Sequence, residues 1–138
     1  MGFYLLGDMG SGEDDQHIVA KSLTSHIKNN KKKGLFICGL GDNIYEEGCS
    51  SVNDKQFDEK FEIPYQDISN NIKFYMCLGN HDYGYDIFNK NGNSVNQIEY
   101  GIQSQKKENK WYITSSYYTY QQVDIEFFVM NTNFNNLT

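Results

Sequence analysis

The sequence predicts an α/β fold with a mostly parallel sheet and flanking helices. Three short apolar runs, at residues 3–6, 35–40 and 73–78, each end in a glycine that is followed by Asp or Asn. Segments with helical spacing of apolar residues lie between these runs. Continuous apolar runs that alternate with helices are typical of parallel strands covered on both faces. We therefore expect the order strand–helix–strand–helix–strand over residues 3–78.

The first strand is followed by a helix. Its apolar residues recur at four-residue intervals, at Val19, Leu23 and Ile27. Ser11 and Asp14 are candidate N-caps, and Gly34 lies just past the predicted end. A second helical segment, at 52–62, separates the second strand from the third.

That second segment carries Phe57 and Phe61 one turn apart, and Pro64 ends it. Beyond the third strand, residues 84–96 are rich in Gly and Asn and predict a loop, and 95–102 predicts a short helix.

The C-terminal part of the chain predicts a β-hairpin. Residues 115–122 and 124–131 are rich in aromatic and β-branched residues, which are typical of strands. We expect the two strands to be antiparallel neighbours, with the turn near Val123.

Composition excludes several classes of protein. A length of 138 residues fits one domain, and a net charge of −6 argues against a nucleic-acid partner. The basic cluster at 28–34 lies where a helix would end, a usual place for cations. No apolar run approaches the ~18 residues of a membrane-spanning helix. The N-terminus lacks the pattern of a signal peptide.

The three cysteines cannot all pair, and none has the spacing of a metal-thiolate site. Cys38 and Cys77 lie in apolar runs, so we expect them to be buried. Cys49 lies in a predicted loop, where we expect a free thiol.

Polar side chains follow the three predicted parallel strands. Asp8, Asp42 and Asn80 each come directly after a glycine at a strand end. A single Gly-Asp pair is more often a turn or a helix cap, but carboxyl ends of parallel strands meet at one edge. Carboxylate and amide oxygens are hard ligands that suit a multivalent cation. Without a cation, the two carboxylates would repel each other. The sequence therefore predicts a metal site.

Three motifs resemble those of a known family. GDMG (7–10), GDNIY (41–45) and GNHD (79–82) are similar to the first three motifs of the calcineurin-like metallophosphoesterases. The resemblance is closer to the purple acid phosphatase (tartrate-resistant acid phosphatase) branch. Gly10 replaces a metal-binding histidine of the broader family, and Tyr45 is the feature that marks the purple branch. The resemblance implies the αββα sandwich of that family.

The resemblance also implies a role for each motif residue. Asp8 and the phenolate of Tyr45 would bind a ferric ion, and Asp42 would bridge it to a divalent ion (Fe²⁺, Zn²⁺ or Mn²⁺). Asn80 would bind the divalent ion, and His81 would be the catalytic residue that protonates the leaving oxygen. The implied enzyme is an acid phosphatase that hydrolyses phosphate monoesters through this di-metal centre and a metal-bound hydroxide. Its substrate would be a small phosphomonoester or a phosphoprotein.

Elementary chemistry agrees with the role of the phenol. A phenol with a reference pKa of about 10 ionises readily only beside strong positive charge. By composition alone, Tyr45, one of 11 tyrosines, would be a packed aromatic, and His81 would be a surface or core histidine. We assign His17 and His26 to the helix structure and expect Asp82 to shape the loop behind His81.

The chain departs from the family pattern after residue 134, near the end of the resemblance. The family carries two later histidine motifs, but no histidine follows His81 here. We therefore expect residues 1–138 to be a single but incomplete domain, the N-terminal half, without the C-terminal histidine ligands. Apolar surface should be exposed, and the lost ligands should weaken binding of the second metal severely, which makes the activity of the 138-residue chain alone doubtful.

Two alternatives stay open. One is a non-catalytic scaffold or membrane-anchoring protein of the same fold, which would need none of the motif residues. The other is a calcineurin-like esterase acting on phosphodiesters or nucleotides, which Gly10 and Tyr45 disfavour. The family is mostly secreted or lysosomal, and residues 136–138 form a glycosylation sequon. Compartment and oligomeric state are left open by the sequence.

Overall fold

The computed structural model describes residues 1–30, 32–84 and 92–133. The elements, in chain order, are β1 (Gly2–Leu6), α1 (Asp14–Asn29), β2 (Leu35–Gly39), a π-helical turn (Asp58–Glu62), β3 (Phe74–Met76), a 3₁₀ turn (His81–Tyr83), α2 (Ser94–Lys106), β4 (Trp111–Tyr112), β5 (Tyr118–Gln122) and β6 (Ile125–Val129). Strands β1 to β4 form a parallel sheet in that order, and β5 and β6 form an antiparallel pair. The predicted α/β class with a parallel sheet is confirmed.

The register of the sheet places the ends of three strands side by side. Leu6 at the end of β1 pairs with Gly39 at the end of β2, and Gly39 pairs with Met76 at the end of β3. The three loops that follow these strands therefore leave the sheet from one edge. This edge is where ligands bind in open parallel sheets.

The main core is built on aromatic residues that pack against one face of the sheet. Trp111 of β4 meets Phe61 edge-on at 4.7 Å and Phe57 at 5.5 Å. Tyr100 of α2 stacks on Phe57 with ring centroids 3.8 Å apart. All but Tyr100 are at most 2 % exposed. The two phenylalanines that the sequence places one turn apart therefore both pack on Trp111 in the core.

The hairpin covers the opposite face of the sheet through a second aromatic layer. Tyr120 of β5 stacks on Tyr75 of β3 at 3.7 Å and on Phe127 of β6 at 4.9 Å. Phe127 also meets Phe36 of β2 edge-on at 5.3 Å. The antiparallel pairing and the turn at Val123, whose φ is +57°, are both as predicted. The sheet is thus covered on both faces, by helices on one and by a hairpin on the other.

The predicted apolar stripe of α1 is partly wrong. Val19 is 48 % exposed, whereas Ile27 is buried. Each four-residue step turns a helix ~40° past a full turn, so two steps move Val19 well off the face of Ile27. The buried residues of this helix are Gln16, Ala20, Thr24 and Ile27. The N-cap is Glu13, without a side-chain hydrogen bond, so neither Ser11 nor Asp14 occupies that position.

Helix α2 is longer than predicted, because it begins at Ser94 and continues to Lys106. Strand β4 was not predicted from the sequence, since two residues are too few to show a period. Residues 85–91, which belong to the predicted loop, lie outside the described residues. Among the helices of the described ranges, none has both the length and the apolar character needed to cross a bilayer.

The burial expected for Cys38 and Cys77 is wrong, whereas the free thiol expected at Cys49 is confirmed. Cys49 is fully buried in the main core, while Cys38 and Cys77 are half-buried, and all three are free thiols. The latter two lie near the strand ends, where the hairpin covers the sheet incompletely. Burial raises the pKa of the Cys38 and Cys77 thiols. Loop residues around Cys49 fold inward instead, as shown by the hydrogen bond from Asn96 Nδ2 to its carbonyl oxygen at 2.8 Å.

An apolar groove of about 280 Å³ lies between the β1 side of the sheet and β6. The hairpin has two strands and the sheet has four, so the outer strand β1 is incompletely covered. Several large apolar side chains in the groove are between 45 % and 68 % exposed: Phe3, Leu5, Leu40, Phe128 and Met130. Exposed apolar surface was expected from the sequence and is present here.

Replacing Tyr100 by phenylalanine should lower the free energy of unfolding by about 1–2 kcal/mol, because its hydroxyl donates to a carboxylate. Tyr100 Oη lies 2.8 Å from Glu62 Oε1 in a half-buried position. Tyr117→Phe is the matched control, since this tyrosine is 69 % exposed. Urea unfolding of the variants measures the difference. Equal stabilities of the two variants would contradict a contribution from the hydrogen bond.

Candidate metal centre

The loops that follow β1 and β2 each begin with an aspartate in an unusual backbone conformation. Asp8 has φ of +53° and Asp42 has φ of +50°, a region that residues other than glycine seldom occupy. Asp8 N donates to the carbonyl of Gly41 at 3.1 Å, which ties the first loop to the second. Such conformations cost energy and cluster at functional sites.

The phenol of Tyr45 joins the two carboxylates. Its Oη lies 2.6 Å from Asp8 Oδ1 and 3.1 Å from Asp42 Oδ2. The hydrogen bond to Asp8 is the main cause of a raised pKa at Tyr45, and the hydrogen bond to Asp42 raises it further. Three oxygen-bearing groups thus converge around one phenolic proton. A multivalent cation that displaced this proton would meet two carboxylates and a phenolate.

His81 belongs to the same cluster. Its backbone N donates to Asp42 Oδ1 at 3.0 Å, and its ring lies beside that of Tyr45 with centroids 4.5 Å apart. Its Nδ1 lies 2.7 Å from the carbonyl oxygen of Glu46. A carbonyl oxygen can only accept, so Nδ1 carries a proton, and Nε2 is the atom that can take up or release one.

Asn80 is placed at the same edge but is not joined to the cluster. It follows β3 and precedes the 3₁₀ turn, directly before His81. Asn80 is exposed. Its side chain forms no hydrogen bond with another residue of the described ranges. The structure therefore brings Asp8, Asp42, Tyr45 and His81 together and leaves Asn80 beside them.

The backbone of Tyr45 is held on both sides. Tyr45 N donates to the carbonyl of Gly10 at 2.9 Å, and Lys60 Nζ donates to the carbonyl of Tyr45. Lys60 Nζ also donates to Gln56 Oε1 at 2.8 Å. No sequence motif pointed to Lys60, which is one of 12 basic residues and lies in the turn Asp58–Glu62.

Gly10 is required by the close approach of two loops. A Cβ atom at this position would lie 1.8 Å from the carbonyl oxygen of Asn43 and 2.9 Å from Cα of Ile44. No side chain fits there without moving the backbone. The motif departure at this position, glycine in place of a histidine, therefore has a steric cause in this chain.

Asp82 lies behind the cluster with its side chain fully buried. Burial raises the pKa of this carboxyl to about 6, although hydrogen bonds from Gln97 and from backbone N–H groups act in the opposite direction. The neighbouring Tyr83 accepts a hydrogen bond from Asn131 Nδ2 at 2.7 Å. Both residues support the turn that carries His81, as the sequence predicts for Asp82.

The donor set fits a hard cation. Within the described residues, no three side chains drawn from His, Cys, Asp and Glu are grouped so as to hold a metal ion. The cluster instead consists of two carboxylates and a phenol, with an amide at the same edge. Oxygen donors of this kind select hard cations over soft ones. The residues present therefore fit a hard cation better than a metal that is bound by thiolate or imidazole.

A parallel sheet with polar loops at its carboxyl edge, helices on one face and strands on the other is consistent with a metallophosphoesterase fold. The family model described as calcineurin-like phosphoesterase matches residues 1–137, and the chain belongs to this family. The family resemblance inferred from the three motifs is therefore confirmed.

Two curated relatives match most of the chain. Tartrate-resistant acid phosphatase type 5 of Oryctolagus cuniculus is 39% identical over 121 residues, covering 84% of this chain and 34% of the relative. Purple acid phosphatase 7 of Arabidopsis thaliana is 29% identical over 134 residues, covering 96% of this chain and 37% of the relative. The chain thus spans about a third of the length of these relatives.

A solved structure shares the fold. It is titled GAP50, the anchor in the inner membrane complex of Plasmodium, and it superposes with a TM-score of 0.67. The match has 24% sequence identity and covers 91% of this chain and 39% of that one. At this identity, the similarity shows the fold alone.

Proposed function

We propose that this edge of the sheet is the metal centre of an acid phosphatase of the purple type, which hydrolyses phosphate monoesters. The observation that carries the proposal is the position of Tyr45 Oη, within hydrogen-bonding distance of the carboxylates of Asp8 and Asp42. A scaffold protein would need none of these contacts. Names of the relatives that match most of the chain support the same activity.

The proposed roles follow the contacts. Asp8 and Tyr45 would hold a ferric ion, Asp42 would contribute its carboxylate to both ions, and Asn80 would contribute its amide oxygen to a divalent ion (Fe²⁺, Zn²⁺ or Mn²⁺). When bound, the two cations supply electrophilic activation of the phosphoryl oxygens. His81 has Nδ1 hydrogen-bonded to the carbonyl of Glu46. Its Nε2 would donate a proton to the leaving oxygen of the substrate.

The number of donors decides how strongly each ion is expected to bind. The ferric position has two carboxylates joined through the phenol of Tyr45, which would be a third anionic donor once deprotonated, whereas the divalent position shares one carboxylate and adds a neutral amide. We therefore expect this chain to bind one ferric ion tightly and the divalent ion weakly. The expected substrate is a small phosphomonoester or a phosphoprotein.

Hydrolysis of p-nitrophenyl phosphate tests the proposal. We expect the chain loaded with Fe³⁺ and excess Zn²⁺ to hydrolyse this ester slowly at mildly acidic pH, above the metal-free background. Asp42→Asn should lower the rate at least ~100-fold, the upper range for lost support of a metal site, because it weakens the group shared by both ions. Asp124→Asn, which changes an exposed aspartate of the hairpin turn, should keep the rate. Absence of hydrolysis with metal bound, or equal rates in both variants, would argue against a phosphatase.

A further inference from the structure

The buried carboxylate of Asp82 accepts hydrogen bonds from two loops of the proposed site. Gly79 N, in the loop after β3, donates to Oδ2 at 2.8 Å. Asn43 N and Ile44 N, in the loop after β2, donate to Oδ1 at 2.9 and 3.2 Å. These last two residues lie directly between two of the proposed ligands. One carboxylate therefore fixes the two loops relative to each other.

Helix α2 reaches the same carboxylate through Gln97. Its Nε2 donates to Asp82 Oδ1 at 2.7 Å, and its Oε1 accepts from Asn43 Nδ2 at 3.3 Å. Asn43 Nδ2 also lies 3.2 Å from Asp82 Oδ2 and donates to the carbonyl of Cys77 at 2.7 Å. The three side chains form a network that links two loops and a helix, and Asn43 Oδ1 is its one side-chain acceptor without a hydrogen-bond partner among the described residues.

The network is dry. Asp82, Asn43 and Gln97 are each 0 % exposed. Buried polar groups that lose a partner cannot regain it from bulk water, so the loss of one member is costly to the others. Such a network favours a single arrangement of the loops that it joins.

The network contacts the site through the backbone. Within the described residues, none of its three side chains forms a hydrogen bond with the side chains of the proposed ligands. Its contacts with the site therefore set the placement of the loop segments. The distance between the rings of Tyr45 and His81, 4.5 Å between centroids, spans the junction of these two loops.

We propose that Gln97 is a positioning residue of the metal centre. By holding Asp82 and Asn43 together, it keeps the loop of Asp42 and Tyr45 in register with the loop of Asn80 and His81. The proposal rests on the proposed function for the identity of the site, whereas the arrangement of the loops can be measured without metal. Removing Gln97 should let the two loops shift relative to each other, while the direct hydrogen bonds from Asn43 N, Ile44 N and Gly79 N to Asp82 remain.

The first test uses the metal-free chain. His81 is one of three histidines, and the other two lie on α1, so its ring-proton NMR signals are easily distinguished. We expect Gln97→Leu to shift the His81 signals, because the ring of Tyr45 moves relative to that of His81, and to leave those of His17 and His26 unchanged. Gln103→Leu is the matched control on the same helix. Among the described residues, the side chain of Gln103 forms a hydrogen bond only with the exposed side chain of Glu99. A residue that contributed only stability would leave the shifts of the folded chain unchanged.

The second test uses Fe³⁺, supplied as its nitrilotriacetate complex. Outer-shell partners of metal ligands typically contribute 10–100-fold in affinity, so we expect Gln97→Leu to bind Fe³⁺ about 10-fold more weakly. The visible absorption maximum should also move, whereas Gln103→Leu should match the wild-type chain. Unchanged affinity, maximum and His81 signals in folded Gln97→Leu would overturn the positioning role and leave the proposed function standing. A wild-type chain that binds no Fe³⁺ would overturn the proposed function and the positioning role together.

Circular dichroism of each variant reports whether it is folded. If Gln97→Leu does not fold, Gln97→Asn replaces it. This variant keeps an amide but is one methylene too short to reach both partners. We expect the same direction of change in the His81 signals and in Fe³⁺ affinity, and wild-type values in both would overturn the proposal.

Discussion

Gly10→Ala is expected to lower the free energy of unfolding by about 3 kcal/mol, the upper end of the usual cost of overpacking. It should also displace Tyr45 from the two aspartates. The added Cβ would lie 1.8 Å from the carbonyl oxygen of Asn43 and 2.9 Å from Cα of Ile44. These are backbone atoms, so rotation of a side chain cannot relieve the overlap. The loops after β1 and β2 must separate to make room. Their separation lengthens the hydrogen bond from Tyr45 N to the carbonyl of Gly10, now 2.9 Å.

Gly7→Ala is the matched control for this prediction. Its Cβ would lie 3.3 Å from Cβ of Leu40, a contact that needs a shift of only a few tenths of an ångström, in contrast to the 1.8 Å separation at position 10. We expect a loss below about 1 kcal/mol for Gly7→Ala, as for a tolerated volume change. Urea unfolding measures both variants, and the visible band after loading with Fe³⁺ reports on Tyr45. Equal stability of the two variants, with equal bands, would show that the loops tolerate a side chain at position 10.

Tyr45→Phe is expected to abolish the visible band of the iron-loaded chain. The phenolate is the group in the proposed ferric site whose charge transfer to Fe³⁺ absorbs visible light. Removing it also removes one of three anionic donors, so Fe³⁺ affinity should fall at least ~100-fold, the upper range reported for lost outer-shell support. The fold should be unaffected, because the Tyr45 side chain is partly exposed. Absorption spectroscopy and competition with nitrilotriacetate measure the two effects.

Tyr117→Phe serves as the control for the band. Tyr117 is 69 % exposed and forms none of the described contacts of the site. We expect this variant to keep both the colour and the affinity of the wild-type chain. A visible band that survived in Tyr45→Phe would remove Tyr45 from the ferric site and require another phenolate.

Several features of the fold could be predicted because they depend on local sequence. Parallel strands read as continuous apolar runs, and the glycine after each run marks its end, so the edge that carries Asp8 and Asp42 was predictable. The hairpin was predictable from its aromatic residues. Strand β4 was not, because its two residues owe their conformation to pairing with β3.

The side chains of the candidate site could be predicted from the sequence, but the residues that hold its loops in place could not. Asp8, Asp42, Tyr45 and His81 stand in recognisable motifs, and the structure brings them together. Gln97 and Lys60 lie in helical turns among residues of the same type, and only the tertiary fold reveals their contacts. The burial of Cys49 is of the same kind, since it depends on how a loop folds back onto the core.

A crystal structure of the chain loaded with Fe³⁺, with the ion located by its anomalous scattering, tests the central claim most directly. The proposal predicts one strong iron peak bonded to Tyr45 Oη and to carboxylate oxygens of Asp8 and Asp42. The hydrogen bonds from Tyr45 to the two aspartates would then be replaced by bonds to the metal. An iron peak elsewhere, with Tyr45 still donating to Asp8 and Asp42, would contradict it.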